Sequence, residues 1–213
     1  MLTIHGRATS LNVQAVMWTA AELGLETERL DLGFPFGGTD TPEYRAMNPN
    51  GRVPTLVDEH VTLFESAAIV RYLAARHGRF PFWPEDPVAR APVDMWAEWG
   101  KTTLQPSFLG PVFWPAVHGT AAPGQPTYDN GLAAFEARLD ILEGRLGDGP
   151  WLLGADLTLA DIETGLILYR YFTVDLPRRD RPMLAGYYDR LRGRPAYAAH
   201  VMVDYGALRQ MRR

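Results

Sequence analysis

The stretch NPNGRVPTL, residues 48–56, contains the features from which the fold is most readily inferred. Its first four residues, NPNG, all favour a tight turn. The runs VPTLVD and VTLFE follow, joined at Glu59 and His60, and two short apolar runs in this arrangement are typical of a β-hairpin. We therefore expect a turn followed by two paired strands, with Pro54 at the start of the first strand.

The sequence before this stretch alternates between strand and helix patterns. Leu2–His5 (LTIH) is a short apolar run that suits a buried strand, and residues 28–32 (ERLDL) alternate as a second strand would. Between them, apolar residues recur at helical spacing from Val13 to Leu23. Thr41 followed by Pro42 predicts the cap and first turn of a short second helix.

After the hairpin, an apolar stripe predicts a third helix that opens at Ser66 and stops at Gly78. The first eighty residues thus have the order β-α-β-α-β-β-α, with a right-handed crossover between the first two strands if they are parallel. The segment RFPFWPEDP contains three prolines and has no periodicity, so it predicts a linker.

Beyond the linker, the apolar pattern is helical and the strand pattern disappears. We therefore predict an α/β domain at residues 1–79, a linker at 80–87 and an all-helical domain at 88–213. The first predicted helix starts at Asp86–Pro87 and runs through Trp99, and the second follows the stripe from Leu132 to Leu146. A third covers 162–171 after a capping box at 158–161. Two shorter helices follow at 184–192 and 195–203.

The composition excludes several classes of function. The chain has no cysteine, which excludes disulfides, thiolate metal sites and a cysteine nucleophile. Its five histidines are scattered, so we expect no metal site. A net charge of −4 with no basic block argues against a nucleic-acid partner. No apolar run approaches the roughly 20 residues of a membrane span, and the start is too short in apolar residues for a signal peptide, so we expect no membrane and a cytoplasmic location.

The order of elements and four short motifs resemble the glutathione S-transferase family, whose N-terminal half is thioredoxin-like. The pattern NPxGxVPxL followed ten residues later by ESxAI is the most specific part. Within that family the chain is most similar to the bacterial serine- and asparagine-type members. The motifs are NPNGRVPTL (48–56), FESAAIVRYLA (64–74), TLADI (158–162) and SLN (10–12).

The resemblance implies a glutathione transferase of the detoxification type. Glutathione would be the co-substrate, its thiol activated as thiolate for attack on a small hydrophobic electrophile bound between the domains. Peroxidase, dehalogenase or ether-cleaving side activities and a homodimer are further implications. A non-catalytic ligand-binding or assembly module of the same fold is the alternative. A cysteine-dependent thiol transferase is excluded, because no residue here can form a mixed disulfide.

Two residues are candidates for contact with the glutathione sulfur. A free thiol with a pKa of about 8.5 is mostly un-ionised at pH 7, so the protein must stabilise the thiolate. Ser10 precedes the first predicted helix, where a hydroxyl donor and unpaired N–H groups favour an anion. A serine in this position is equally typical of an ordinary cap. Asn12 is the rival donor, matching the asparagine of some bacterial relatives, and Thr9 is a weaker third.

The resemblance also assigns the remaining glutathione contacts. The Val53–Pro54 bond would be cis, leaving the Val53 backbone free to pair with the cysteinyl backbone of glutathione. Ser66 and the first turn of its helix would bind the γ-glutamyl carboxylate, a group that helix N-termini favour. Glu65 would face the γ-glutamyl amino group, and Arg52 would meet the glycyl carboxylate.

The electrophile pocket is expected along the first part of the helical domain. Phe108, Phe113 and Trp114 are the candidates for its wall. Aromatic residues at helical spacing suit a hydrophobic core equally well, so both interpretations stay open. Three prolines predict that helices here are broken into short pieces; they are Pro106, Pro111 and Pro115.

Overall fold

A four-stranded sheet organises the N-terminal part of the chain in a computed structural model that describes residues 1–147 and 149–211. The strand order is β2-β1-β3-β4, with β1 parallel to β2, and β3 antiparallel to both β1 and β4. This is the mixed sheet of a thioredoxin-like domain, as predicted. The strands are β1 (Leu2–His5), β2 (Thr27–Leu30), β3 (Thr55–Val57) and β4 (Thr62–Phe64).

Local side-chain contacts account for the turns and caps of this domain. The predicted hairpin is confirmed, and the Asp58 carboxylate accepts the backbone N–H groups of His60 and Val61 in its turn, at 2.7 and 2.8 Å. The Thr41 hydroxyl accepts the N–H of Tyr44 at 3.3 Å, which confirms the predicted cap. Three helices complete the domain: α1 (Leu11–Glu22), α2 (Pro42–Met47) and α3 (Ser66–His77).

Among the residues described, the second half consists of helices joined by loops, with an isolated bridge between Trp151 and Gly154 in place of any strand. Helix α3 ends at His77 and α4 begins at Pro87; the finer domain limits stay a prediction. The helices are α4 (Pro87–Trp99), α5 (Gln105–Phe108), α6 (Trp114–His118), α7 (Pro126–Leu146), α8 (Leu159–Gly165), α9 (Leu168–Thr173), α10 (Pro182–Arg192) and α11 (Pro195–His200).

The region after α4 consists of short helical pieces, as expected from its prolines, but the backbone between them is not interrupted. Two π-helical turns, Gly100–Leu104 and Leu109–Phe113, join α4, α5 and α6, so the backbone stays helical from 87 to 118. Proline lacks an N–H and its ring collides with the carbonyl four residues earlier. The wider i→i+5 pattern of a π turn accommodates such a register change without ending the helix.

One predicted helix, over residues 162–171, is two. Helix α8 stops at Gly165 and α9 starts at Leu168. Glycine is a poor helix former, and this one lies where a side chain would not fit: a Cβ at Gly165 would be 2.7 Å from the Leu191 side chain and 3.4 Å from Trp18. The predicted capping box at Thr158 and Asp161 is present, with both of its hydrogen bonds.

Helix α1 connects the two halves. It packs against α3 in its own domain and against α8 and α11 of the helical domain. Trp18 is fully buried there and meets Tyr197 edge to face, with 4.8 Å between the ring centroids. At the end of the same helix, Glu22 forms an ion pair with Arg194. Because one end of α1 is fixed in this way, its N-terminal end is held at the junction of the domains.

Candidate active site

A cavity of about 610 Å³ lies at the junction, beside the N-terminal end of α1. The β1–α1 connection, the loop after β2, the segment before β3 and the helical domain all contribute to its wall. Its residues are Arg7, Thr9, Ser10, Leu11, Asn12, Gly33, Phe34, Thr39, Gly51, Arg52, Val53, Leu109, Trp114, Arg170 and Met211. The cavity therefore contains most of the residues that the sequence predicted for the sulfur and for the middle of glutathione.

Ser10 occupies the N-cap position of α1, but its side chain does not cap the helix. Its backbone is extended (φ −79°, ψ 121°), and its N–H closes a turn onto the Arg7 carbonyl at 3.1 Å. The residue is 8 % exposed and lines the cavity. Within residues 1–147 and 149–211 the Ser10 hydroxyl has no hydrogen-bond partner. It therefore remains available as a donor to a ligand.

Asn12 also lines the cavity, but its amide oxygen is already engaged. The ammonium group of Lys101 donates to Asn12 Oδ1 and to Ser66 Oγ, each at 2.8 Å. Lys101 lies in the first π-helical turn of the helical domain, so it links the first turns of α1 and α3 from the opposite side of the junction. Burial raises the pKa of the nearby Glu163 carboxyl, and the charge of Lys101 opposes that rise.

Sequence reasoning missed Lys101. It stands in a region whose periodicity indicated only a helix, far along the chain from both of its partners. One feature of the sequence could have drawn attention to it: Lys101 is the single lysine among the 21 lysine and arginine residues of the chain.

The start of α3 differs in detail from the prediction. Glu65, not Ser66, occupies the N-cap position, and its side chain makes no capping hydrogen bond. Ser66 is the first residue of the helix and is buried. Glu65 is exposed and has φ +66°, the one positive φ outside glycine in the part of the chain described. Such backbone strain occurs mostly at functional sites.

The Val53–Pro54 peptide bond is cis, as the resemblance implied. Strand β3 begins at Thr55, so Val53 lies before the ladder of hydrogen bonds. The turn that precedes it is fixed by the Arg52 carbonyl, which accepts from the Tyr44 hydroxyl and from Asn48 Nδ2, both at 2.7 Å. Val53 and the exposed Arg52 side chain consequently face the cavity from a rigid turn.

The aromatic candidates separate into wall and core. Trp114 lines the cavity, next to Leu109. Phe108 and Phe113 are fully buried in the core of the helical domain, where Phe108 packs on Phe135 with 4.8 Å between ring centroids. The two phenylalanines therefore do not line the cavity, because the face of the helix toward the junction carries Trp114 and Leu109.

Two further arginines line the cavity, and the sequence did not indicate either. Arg170, on α9, is 3 % exposed; its Nη2 donates to the Thr9 carbonyl at 2.7 Å and its guanidinium lies 4.8 Å from the Phe113 ring centre. Burial, and in the same direction the charge of Arg7, lowers the pKa of Arg170 to about 10. Burial also lowers the pKa of Arg7. Both remain cationic at neutral pH.

Known proteins share the sequence pattern of both halves. The model of the glutathione S-transferase N-terminal domain matches residues 2–75, and the model of the glutathione S-transferase C-terminal domain matches residues 125–190. The chain belongs to the glutathione S-transferase family. Among its relatives, glutathione S-transferase GstB of Escherichia coli (strain K12) is 34% identical over 205 residues, which cover 95% of this chain and 99% of GstB.

Other family members agree over the same extent. Glutathione S-transferase F13 of Arabidopsis thaliana is 28% identical, covering 92% of this chain and 93% of its own. A solved theta-class glutathione S-transferase from Xanthomonas axonopodis pv. citri, with glutathione bound, superposes with a TM-score of 0.86 at 37% identity, covering 95% of this chain and 98% of that one. The protein is thus a glutathione transferase, with glutathione as its co-substrate and a thioredoxin-like domain before a helical one.

In the described residues, no cluster of three or more histidine, cysteine or acidic side chains could hold a metal ion. None of the helices in the same residues is both long and apolar enough to cross a membrane.

Proposed function

We propose that Ser10 stabilises the thiolate of glutathione and that the sulfur then attacks an electrophilic carbon in the cavity. The main support for this proposal is that Ser10 lines the cavity at the N-terminal end of α1 and that its hydroxyl does not cap the helix. A neutral hydroxyl donates a hydrogen bond to the thiolate but does not take its proton, which leaves to solvent. The helix N-terminus favours the same negative charge.

The rest of glutathione extends from Ser10 toward α3 in this proposal. Its cysteinyl backbone pairs with the N–H and C=O of Val53, beside the cis Pro54. Its γ-glutamyl carboxylate binds Ser66 and the first N–H groups of α3, where Lys101 supplies a positive charge. The exposed Glu65 faces the γ-glutamyl amino group.

Arg52 binds the glycyl carboxylate at the other end. Its guanidinium is exposed at the cavity while its carbonyl is held by two hydrogen bonds, so the side chain can move and the backbone cannot. Charge-assisted hydrogen bonds to a carboxylate are among the stronger contacts that an arginine makes.

Asn12 is the rival to Ser10 for the sulfur. Its Oδ1 accepts from Lys101, which supports a role for Asn12 in holding that lysine. Neither the Ser10 hydroxyl nor Asn12 Nδ2 has a partner among the described residues, but Ser10 is the N-cap residue of α1, whereas the Asn12 amide is held toward Lys101 through its oxygen. We therefore assign the sulfur contact to Ser10.

The test is the absorbance of the thiolate of bound glutathione, titrated against pH. We expect Ser10→Ala to raise the pKa of the bound thiol by about one unit or more and to lower turnover by about 10²-fold, the usual cost of losing one donor to a developing or stable anion. Asn12→Ala, the matched control, should leave the titration in place.

Three outcomes contradict parts of the proposal. If only Asn12→Ala moves the titration, the asparagine is the sulfur's partner. If glutathione binds but no electrophile is turned over, the chain is a non-catalytic ligand-binding module. If calorimetry detects no binding of glutathione, the whole assignment fails.

We further propose a cytoplasmic homodimer. Val88 and Met95, seven residues apart on α4, are 81 % and 58 % exposed, and such an apolar pair suits an interface. Light scattering on the purified chain measures the mass directly, and a monomer at micromolar concentration would contradict this part.

A further inference from the structure

The cavity beside Ser10 carries an excess of positive charge that glutathione does not account for in the proposal above. Arg7 and Arg170 lie on its wall in addition to Arg52, and no acidic residue lines it. Neither Arg7 nor Arg170 forms an ion pair within residues 1–147 and 149–211. Buried or partly buried arginines normally have such partners.

Arg181 provides the comparison within the same chain. It is as buried as Arg170, at 6 % against 3 % exposed, and its guanidinium contacts three carboxylates. Although burial acts in the opposite direction, these hydrogen bonds raise the pKa of Arg181, whereas the pKa of Arg170 is lowered. Arg181 thus has carboxylate partners at a similar degree of burial, whereas Arg170 has none among the described residues. The carboxylates around Arg181 are Glu136, Asp140 and Glu143.

The hydrogen-bonding capacity of the two cavity arginines is also incomplete. Within the described residues Arg170 makes one hydrogen bond, to the Thr9 carbonyl, and its guanidinium lies over the Phe113 ring. Arg7 contacts the Met211 sulfur at 3.8 Å, and its buried Nε has no partner. A guanidinium offers five N–H donors, so both residues can bind an added anion.

We propose that Arg7 and Arg170 form a subsite for the carboxylate of the second substrate, which is then a small organic acid with an electrophilic carbon. This inference rests on the proposed function, since it places the acid against glutathione at Ser10. Trp114 and Leu109 contact the apolar part of the molecule. The electrophile would then carry a carboxylate as well as an apolar part, and would not be purely hydrophobic.

Arg170 places the subsite close to the reacting sulfur. Arg170 holds the carbonyl of Thr9, the residue next to Ser10, so an acid bound there lies close to the sulfur. In a displacement, the thiolate sulfur forms a bond to the carbon while the carbon–halogen bond breaks. The halide leaves with the bonding electron pair, and no oxidant or reductant is required.

A matched pair of probes tests the subsite. 4-(Bromomethyl)benzoate and 4-(bromomethyl)benzamide react alike with thiolate but differ in charge. Each enzymatic kcat/KM is divided by the rate constant for free glutathione, which removes intrinsic reactivity. We expect the enzyme to prefer the benzoate by at least about 10-fold, and Arg7→Gln and Arg170→Gln each to lower that preference by about 10- to 100-fold.

Two controls keep the interpretation specific. Arg145→Gln removes the same charge from an exposed position on α7 that does not line the cavity, and it should leave the preference unchanged. Arg170→Lys, which keeps the charge, should retain part of the preference. Should Arg170→Gln fail to fold, Arg7→Gln decides alone, since Arg7 is only partly buried.

Competition by unreactive 4-methylbenzoate against 4-methylbenzamide supplies a second readout. An unchanged preference in both glutamine variants would overturn the subsite while leaving the transferase intact. Weaker glutathione binding in those variants, with equal loss for both probes, would assign the arginines to glutathione and also overturn it. Failure of the native chain to bind glutathione would refute the proposed function itself.

Discussion

At the scale of single residues, the site depends on a few side chains that meet across the domain junction. Lys101 is one of them, because it contacts Asn12 and Ser66 at once. The sequence pointed to Ser10, Asn12 and Ser66 through a motif resemblance, but the matching motifs do not contain Arg7, Lys101 or Arg170. Arg7, Arg170 and Lys101 were missed for this reason, although Lys101 is unique in the composition.

Lys101→Met should weaken the binding of glutathione by about 10-fold or more, because it removes the positive charge beside the expected γ-glutamyl carboxylate. Isothermal calorimetry measures the effect, with Lys101→Arg as the conservative variant that should retain most of the affinity. The pKa of the bound thiol should stay in place, unlike in Ser10→Ala. If Lys101→Met moved that pKa without changing the affinity, the lysine would act on the sulfur and not on the γ-glutamyl end.

At the scale of elements, helix α4 and the π-helical turn after it carry Lys101 to its position. Helix α4 packs against α8, and Gly100, the first residue of the π-helical turn, lies against the backbone of α8. A Cβ at Gly100 would be 2.9 Å from the Glu163 carbonyl carbon and 3.0 Å from the backbone nitrogen of Thr164. Since these neighbours are backbone atoms, they cannot move aside as a flexible side chain would.

Gly100→Ala should therefore lower the free energy of unfolding by about 1–3 kcal/mol, the usual cost of overpacking. Gly144→Ala is the matched control: it lies exposed on α7 with nothing near its missing Cβ, so alanine should stabilise the protein by about 0.5–1 kcal/mol. Urea unfolding followed by circular dichroism measures both. Equal effects of the two substitutions would mean that the approach of α4 to α8 is looser than described.

At the scale of the whole molecule, the two domains are held together at α1, and the cavity lies between them. Glu22 is central to this contact: its carboxylate accepts from Arg194 Nε at 2.7 Å and from the Trp18 indole at 2.8 Å. The Glu22 side chain is 7 % exposed and that of Arg194 35 %. The hydrogen bond and the charge of Glu22 raise the pKa of Arg194.

Glu22→Gln should lower the free energy of unfolding by about 2 kcal/mol, because the partly buried Arg194 loses its charged partner. The exposed pair Arg192–Asp189 supplies the control, and Arg192→Gln should cost less than about 1 kcal/mol. Thermal unfolding of the variants, together with Arg194→Gln and the double variant, isolates the coupling. Additive effects of Glu22→Gln and Arg194→Gln would show that the pair contributes nothing to joining the domains.

Local patterns determined the elements of this protein. The individual strands, the hairpin, the cap at Thr41 and the stripe that became α7 all follow from patterns within a few residues, which sequence spacing reports directly. The motif around Val53–Pro54 pointed to the correct family because its residues are contiguous in the sequence. Local patterns did not predict that the helix stays continuous past Pro106 and Pro111, where two π-helical turns join its short pieces.

Only the tertiary structure decided what fills and surrounds the cavity. Helical spacing shows that a helix has an apolar face but not what that face meets, so Phe113 and Trp114 looked alike in sequence and separate in the fold into core and wall. Arg170 and Lys101 are 160 and 91 residues from Ser10 along the chain, and their charges matter because packing brings them to it. The sequence by itself indicated the family and most of the elements; the charge of the site arises from contacts between domains, which no local pattern contains.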